Sequence, residues 1–206
     1  MSMNLLFLDV ETSGLNPLIH EIIEICMVET LPDGTIIRQF NSKIKPQYEV
    51  NPEAAKVNGY TPEKWVGAPP QHLVFAKIND IFGKCTCMPM DEWNPEDTAV
   101  VDSHHVEYCV AHPNNKLTPW GWNTPFDMSF IRPKLYFEMG YHVEDVRSLL
   151  RPFLPWDRKV KLESAVQLVL GKKLYEPGEP HSAVKDTMAC VDLYKKVMKN
   201  WQDACR

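Results

Sequence analysis

Leu5-Leu6-Phe7-Leu8-Asp9-Val10-Glu11-Thr12-Ser13-Gly14-Leu15 is the stretch on which the reading of this chain turns. Four consecutive apolar residues describe a strand buried on both faces, because a half-exposed strand would alternate apolar with polar. The run ends on two carboxylates one residue apart. Side chains alternate along a strand, so Asp9 and Glu11 point to one side and Val10 to the other. Two unpaired acids side by side at the end of a buried strand repel each other and lose hydration. A divalent cation relieves both penalties, and hard cations such as Mg²⁺ or Mn²⁺ prefer oxygen ligands. Taken alone, the stretch has a simpler reading, with both acids facing solvent beyond the strand end. The rest of the chain decides between the two.

Outward from this strand, Ile22 to Val28 and Ile36 to Ile44 read as two further strands joined by a turn at Leu31-Pro32-Asp33-Gly34-Thr35. The first three strands then form an antiparallel meander closing at Pro46, with Glu21 and Glu24 as solvated edge charge. Asn51 caps a short helix that opens on Pro52 and stops at Asn58-Gly59. Pro70 leads a second helix whose apolar stripe is Leu73, Val74, Ile78, Ile81 and Phe82, ended by Gly83. Trp120-Gly121-Trp122 reads as a short strand feeding a helix with Phe130, Ile131, Leu135 and Phe137 inward and a kink at Pro133. Tyr141 to Val146 is a last strand. Leu162, Ala165, Val166, Val169 and Leu170 define an amphipathic helix ending at Gly171. The final helix turns Val184, Cys190, Val191, Leu193, Tyr194 and Val197 to the core, with Lys195, Lys196 and Lys199 complementing its dipole. Antiparallel strands followed by strands alternating with helices make an α/β domain with a mixed sheet.

Residues 84–118 interrupt this pattern with Pro, Asn, Asp and His, and only Thr98 to Val101 and Val106 to Val110 are strand-like. Cys85, Cys87, His104, His105, Cys109 and His112 fall here, but their spacings match none of the usual zinc patterns. The expectation is a loop or hairpin insertion that contacts substrate or a protein partner, with a zinc-binding structural role as the alternative.

A chain of 206 residues suits one domain, residues 1–206. Its 44% hydrophobic and 24% charged residues are ordinary for a globular protein, and no apolar run could cross a membrane. With no signal peptide visible, the expected location is cytoplasmic and the six cysteines are expected as thiols, Cys26 and Cys190 in the core. The net charge of −5 argues against broad, charge-driven nucleic-acid binding. It leaves room for an enzyme that holds a short nucleic-acid end around cations.

Two further acids and a histidine give the first pair its meaning. Asp127 follows a strand and begins a helix, and Asp186 lies in the first turns of the final helix. His181 follows Pro180 in the preceding loop and can reach the same point as Asp186. Each has an ordinary reading by itself: Asp186 as a dipole-complementing acid, His181 as a loop residue without a role. The order Asp-x-Glu, Asp, His-x-x-x-x-Asp is far less expected by accident.

Here Asp9 to Leu15 resembles the first motif of the DnaQ-like 3′–5′ exonucleases, within the ribonuclease-H-like superfamily. Asn123-Thr124-Pro125-Phe126-Asp127 resembles the second motif, and His181-Ser182-Ala183-Val184-Lys185-Asp186 the third in its histidine-containing form. Val57-Asn58-Gly59-Tyr60-Thr61 resembles the segment lining the terminal nucleotide. The resemblance implies a ribonuclease-H-like mixed five-stranded sheet flanked by helices. It implies two divalent cations, Mg²⁺ or Mn²⁺, held by Asp9, Glu11, Asp127 and Asp186, with His181 as general base. Val10 and Thr12 would hold the terminal ribose, Leu15 would wedge near the last base, and Asn58, Asn123 and Phe126 would shape that pocket. The implied partner is a DNA or RNA 3′ end, single-stranded or frayed, from which nucleoside 5′-monophosphates are released. Trp122 and Asn58 depart from the family pattern, which usually has histidine at the first position and often at the second. Neither departure touches an implied cation ligand. The chemistry agrees independently, since phosphodiester hydrolysis needs an activated water and stabilised charge on the phosphorus and leaving group. A catalytically silent copy, serving as a nucleic-acid-binding or scaffold module, is the alternative, but it would have no physical need for all five groups.

Overall fold

The computed structural model describes residues 4–83, 117–135, 137, 139–151 and 160–205. The expected insertion and its Cys and His residues therefore lie, except for residues 117 and 118, outside the described residues. Five strands form one mixed sheet: β1 (Leu5–Thr12), β2 (Ile22–Thr30), β3 (Ile36–Lys43), β4 (Thr118–Gly121) and β5 (Glu144–Asp145). Their order is β3-β2-β1-β4-β5. The β1–β2 and β2–β3 pairs are antiparallel, whereas β1–β4 and β4–β5 are parallel. The antiparallel meander and the mixed five-stranded sheet are as the sequence predicts.

The run Leu5–Leu8 is buried on both faces because the central strand carries a core on each side. Leu5 and Phe7 join Cys26 and Val28 against α4 (Val146–Leu150), α5 (Leu162–Leu170) and α6 (Ala183–Ala204). Leu6, Leu8 and Val10 face α2 (Gln71–Phe82) and α3 (Thr124–Ile131) through Val74, Phe75, Ile78, Met128, Phe130 and Ile131. Phe7 is fully buried and meets Tyr194 edge-on at 5.4 Å. Burial of such a ring is worth about 1.5–3 kcal/mol. The Tyr194 hydroxyl donates to the carbonyl of Pro32 at 2.7 Å, tying α6 to the β2–β3 turn.

The short helix α1 (Pro52–Asn58) is capped by Asn51, whose side chain accepts from the Glu53 N–H at 2.8 Å. Gly121 lets β4 lie close to the central strand: a Cβ there would stand 2.7 Å from the carbonyl oxygen of Leu8.

Several expectations are corrected. Leu73 is exposed, and the buried face of α2 is Val74, Phe75, Ile78 and Phe82. Pro133 does not kink a continuing helix. The α-helix stops at Ile131 and a 3₁₀ turn covers Arg132–Lys134 before Leu135 becomes extended, since Pro133 has no N–H with which to continue the helical ladder. The strand expected over Tyr141 to Val146 pairs only at Glu144 and Asp145. Asp145 then caps α4 by accepting from the Arg147 N–H at 2.9 Å, so the chain turns helical at Val146. Glu24 is not solvated edge charge, because β2 lies between β1 and β3 and its carboxylate is half-buried against Ser182. Glu21, also partly buried, accepts from the backbone N–H groups of Gln47 and Tyr48. Cys26 and Cys190 are buried free thiols as expected.

Candidate active site

The alternation of β1 that puts Leu5 and Phe7 under α6 continues through Asp9 and Glu11. Both carboxylates thereby reach the end of the sheet on the face where α6 begins. Asp186 arrives there from the first turn of α6, and Asp127 from the first turn of α3. Asp127 is buried, and one oxygen accepts from the Val10 N–H at 3.0 Å, which ties the second acidic motif to the first.

His181 completes the group. Its backbone N–H donates to the Val57 carbonyl at 2.9 Å, and its ring stacks on Tyr175 with centroids 5.0 Å apart. Nδ1 lies 3.4 Å from Asp186, and Nε2 lies 3.4 Å from Glu163. Glu11, His181 and Asp186 offer ligand atoms that all lie within 4.8 Å of one another.

The electrostatics follow from crowding. Burial first, then the charges of Asp127, Asp186 and Glu11, push the Asp9 carboxyl well above the usual carboxylate range. Burial and the Asp186 charge push Glu11 up to about 8, with His181 opposing. Asp127 is pushed up to about 8 by burial, against the pull of the Val10 N–H. Glu24 is raised by burial, with the Ser182 hydroxyl opposing. Among the described residues, no lysine or arginine pairs with Asp9, Glu11, Asp127 or Asp186. An all-carboxylate cluster that lacks its own cation and resists ionisation is a donor set suited to hard divalent ions.

The residues expected around the substrate differ in exposure and in the contacts they make. Val10 is buried, and Thr12 donates its hydroxyl to the Gly14 carbonyl at 2.8 Å. Asn58 is buried and its amide is used internally, donating to the Thr12 carbonyl at 3.1 Å and accepting from the Tyr60 N–H at 3.1 Å. It therefore braces the Thr12 backbone. Leu15 is 81% exposed, with Leu18 and Ile19 exposed beside it. Asn123 is the one described non-glycine residue at positive φ, at φ 65°. Its N–H donates to Asp145 and its side-chain oxygen accepts from Arg147. Phe126 is half-buried against Phe130.

Tyr175, Glu24 and Glu163 also border this site, and sequence reasoning missed all three. The Tyr175 hydroxyl donates to Asp186 at 2.6 Å. Ser182 donates its hydroxyl to Glu24 at 3.1 Å. The Pro-Gly-Glu-Pro run at 177–180 is the available signal for Tyr175, since such a run folds a loop back on itself.

A family model described as exonuclease, of the RNase T type, matches residues 6–108, half of the chain. A PolC-type DNA polymerase III of Thermotoga petrophila is 41% identical over 56 residues, 27% of this chain and 4% of that polymerase. The PolC-type polymerase of Thermotoga maritima is 39% identical over a stretch of the same length. Exonuclease I of E. coli, solved in complex with single-stranded DNA, superposes with a TM-score of 0.62 at 18% identity, over 97% of this chain and 41% of that one. A 3′-exonuclease solved in a study of histone mRNA stem-loop recognition superposes with a TM-score of 0.61 at 15% identity, over 97% of this chain and 83% of that one. The chain thus spans a small part of the curated relatives and less than half of exonuclease I.

Proposed function

Because this chain belongs to the exonuclease family, the DnaQ-like 3′–5′ exonucleases, we propose that it hydrolyses phosphodiester bonds at a nucleic-acid 3′ end and releases nucleoside 5′-monophosphates. One observation carries the reading: Glu11, His181 and Asp186 converge within 4.8 Å at the sheet end that also receives Asp9 and Asp127. Asp9, Glu11, Asp127 and Asp186 would hold two divalent cations, Mg²⁺ or Mn²⁺. When bound, such ions supply the positive charge that eases water ionisation and stabilises the phosphoryl oxygens and the leaving oxygen.

The chain's own groups divide the remaining work. His181, half-exposed beside Asp186, takes the proton of the attacking water as general base and passes it to solvent. The rim from Thr12 to Leu15 and the Asn123–Phe126 turn border the place of the terminal nucleotide. Asn58 keeps the Thr12 carbonyl fixed through its amide donor. A single-stranded or frayed DNA or RNA end is the partner that this reading implies.

The test is digestion of matched DNA and RNA oligonucleotides labelled at the 5′ end or the 3′ end, with Mg²⁺ or Mn²⁺. A ladder shortening from the 3′ end, with mononucleotides as the first product, is expected. Shortening from the 5′ end or internal cuts would overturn the direction. Binding of the oligonucleotides without any cleavage would favour the silent scaffold reading.

A further inference from the structure

Tyr175 stands in the loop between α5 and α6, and the proposed chemistry leaves it without a role. Its surroundings are specific. The hydroxyl donates to Asp186 Oδ1 at 2.6 Å and accepts from the Ser182 N–H at 2.9 Å. A phenol has one proton, and the shorter contact, to a carboxylate, takes it in preference to the Ser182 carbonyl at 3.3 Å. The ring lies stacked on His181, with 29° between the planes. The Lys185 ammonium lies 5.2 Å from the same ring centroid and pairs with Glu179.

These contacts converge on the two groups whose geometry matters most. Engaging Oδ1 of Asp186 leaves Oδ2 as the oxygen not bonded to the phenol, and Oδ2 is the one 3.4 Å from His181 Nδ1. A carboxylate with one oxygen held by a hydrogen bond has its rotation restricted. It then presents its other oxygen in a set direction. Ser182 begins α6 without a side-chain cap of its own, since its hydroxyl is turned to Glu24. The phenol therefore also receives the N–H that opens the helix carrying Asp186.

We propose that Tyr175 is a positioning residue of this site: its hydroxyl sets the orientation of Asp186 toward a bound cation, and its ring sets the orientation of His181. This rests on the reading of Asp186 as a cation ligand. The two effects belong to different atoms of one side chain and are separable by substitution. Tyr175→Phe removes the hydroxyl and keeps the stacking surface. Tyr175→Leu removes both.

The experiment measures Mn²⁺ affinity by calorimetry without nucleic acid, and kcat and KM on an oligonucleotide, for the wild type and both variants. Groups that orient metal ligands typically contribute roughly 10–100-fold. Tyr175→Phe should weaken Mn²⁺ binding by about 10-fold or more and lower kcat with KM little changed. Tyr175→Leu should match it in Mn²⁺ affinity and lose further kcat through His181. Unchanged Mn²⁺ affinity in Tyr175→Phe overturns the proposal. So does loss of cooperative unfolding in Tyr175→Phe, which would make the hydroxyl a stability element. If the wild type binds no Mn²⁺, the premise fails and the proposal with it. If the wild type binds Mn²⁺ but cuts no nucleic acid, the exonuclease reading fails alone, and the affinity comparison still decides Tyr175.

Discussion

At the scale of single residues, the site is a contest between carboxylates that repel and the one imidazole among them. Asp186 is the first cause holding His181 above its ordinary pKa, with burial opposing. A general base must be neutral, so a raised pKa delays its readiness to higher pH. Cation binding to Asp186 would withdraw the charge that raises it. We therefore expect the His181 titration, followed by NMR, to move to lower pH when Mg²⁺ is added; an unmoved titration would place the cation elsewhere. His181→Ala should lose rate by about 10²–10⁴-fold and keep nearly full metal affinity, because base catalysis typically contributes that much. Asp9→Ala and Asp186→Ala should abolish hydrolysis and also weaken metal binding. Equal loss of metal affinity in His181→Ala and Asp186→Ala would remove the distinction between base and ligand. The local places of Asp9, Glu11, Asp127 and Asp186 were legible because strand alternation and helix starts are local rules, while their grouping as one ligand set was implied by the resemblance of the motifs that carry them. Glu24, Glu163 and Tyr175 were not legible, since each reaches the site through tertiary packing that no local period encodes.

At the scale of elements, the periodic segments and the meander of the first three strands were legible, and the contacts between elements distant in sequence were not. The buried run of β1, the capped α1 and the stripe of α5 follow from residues within one or two turns of each other. The meander places β2 between β1 and β3, which already argues against an edge at Glu24, but the Ser182 hydroxyl that meets Glu24 arrives from the start of α6, 158 residues away in sequence. One junction between elements also governs the site. Gly59 ends α1 at φ +67°, where a Cβ would stand 2.7 Å from Pro180, next to His181. Beside it, the Val57 carbonyl accepts from the His181 N–H. Gly59→Ala should cost about 1–2 kcal/mol for the left-handed backbone and lower kcat by displacing the His181 loop. Asn tolerates that backbone better yet still carries a Cβ. Gly59→Asn should therefore recover part of the thermal stability without recovering kcat. Wild-type kcat in Gly59→Ala would show that the contact with Pro180 does not locate His181.

At the scale of the whole molecule, the carboxylate cluster sets how folding stability responds to pH and to cations. Among the described residues no helix is long and apolar enough to cross a membrane, and packed cores lie on both sides of the one sheet. Glu11 moves from 4.5 unfolded to about 8 folded, and Asp127 from 3.8 to about 8, while Asp9 shifts in the same direction. Between those limits the folded chain binds more protons than the unfolded one. The contribution of these groups to stability is thus fully present below the unfolded values and is lost as pH rises through about 8. Divalent cations compete with those protons and bind the folded cluster far better than the unfolded chain, so their stabilisation grows as the protons leave. With metal chelated, the melting temperature should fall as pH is raised from about 5 to 8, the interval spanned by these shifts. With saturating Mn²⁺ it should fall less, so that the metal-induced rise widens with pH. Asp9→Asn should flatten the chelated curve, because it removes one charge from the cluster, and narrow the Mn²⁺-induced rise, because it removes one ligand from the cation. Scanning calorimetry at matched ionic strength reads all three. A chelated melting temperature that climbs across the interval, or a Mn²⁺ effect independent of pH, would mean that the acids ionise freely in the fold and that the cluster is not the electrostatic centre described above.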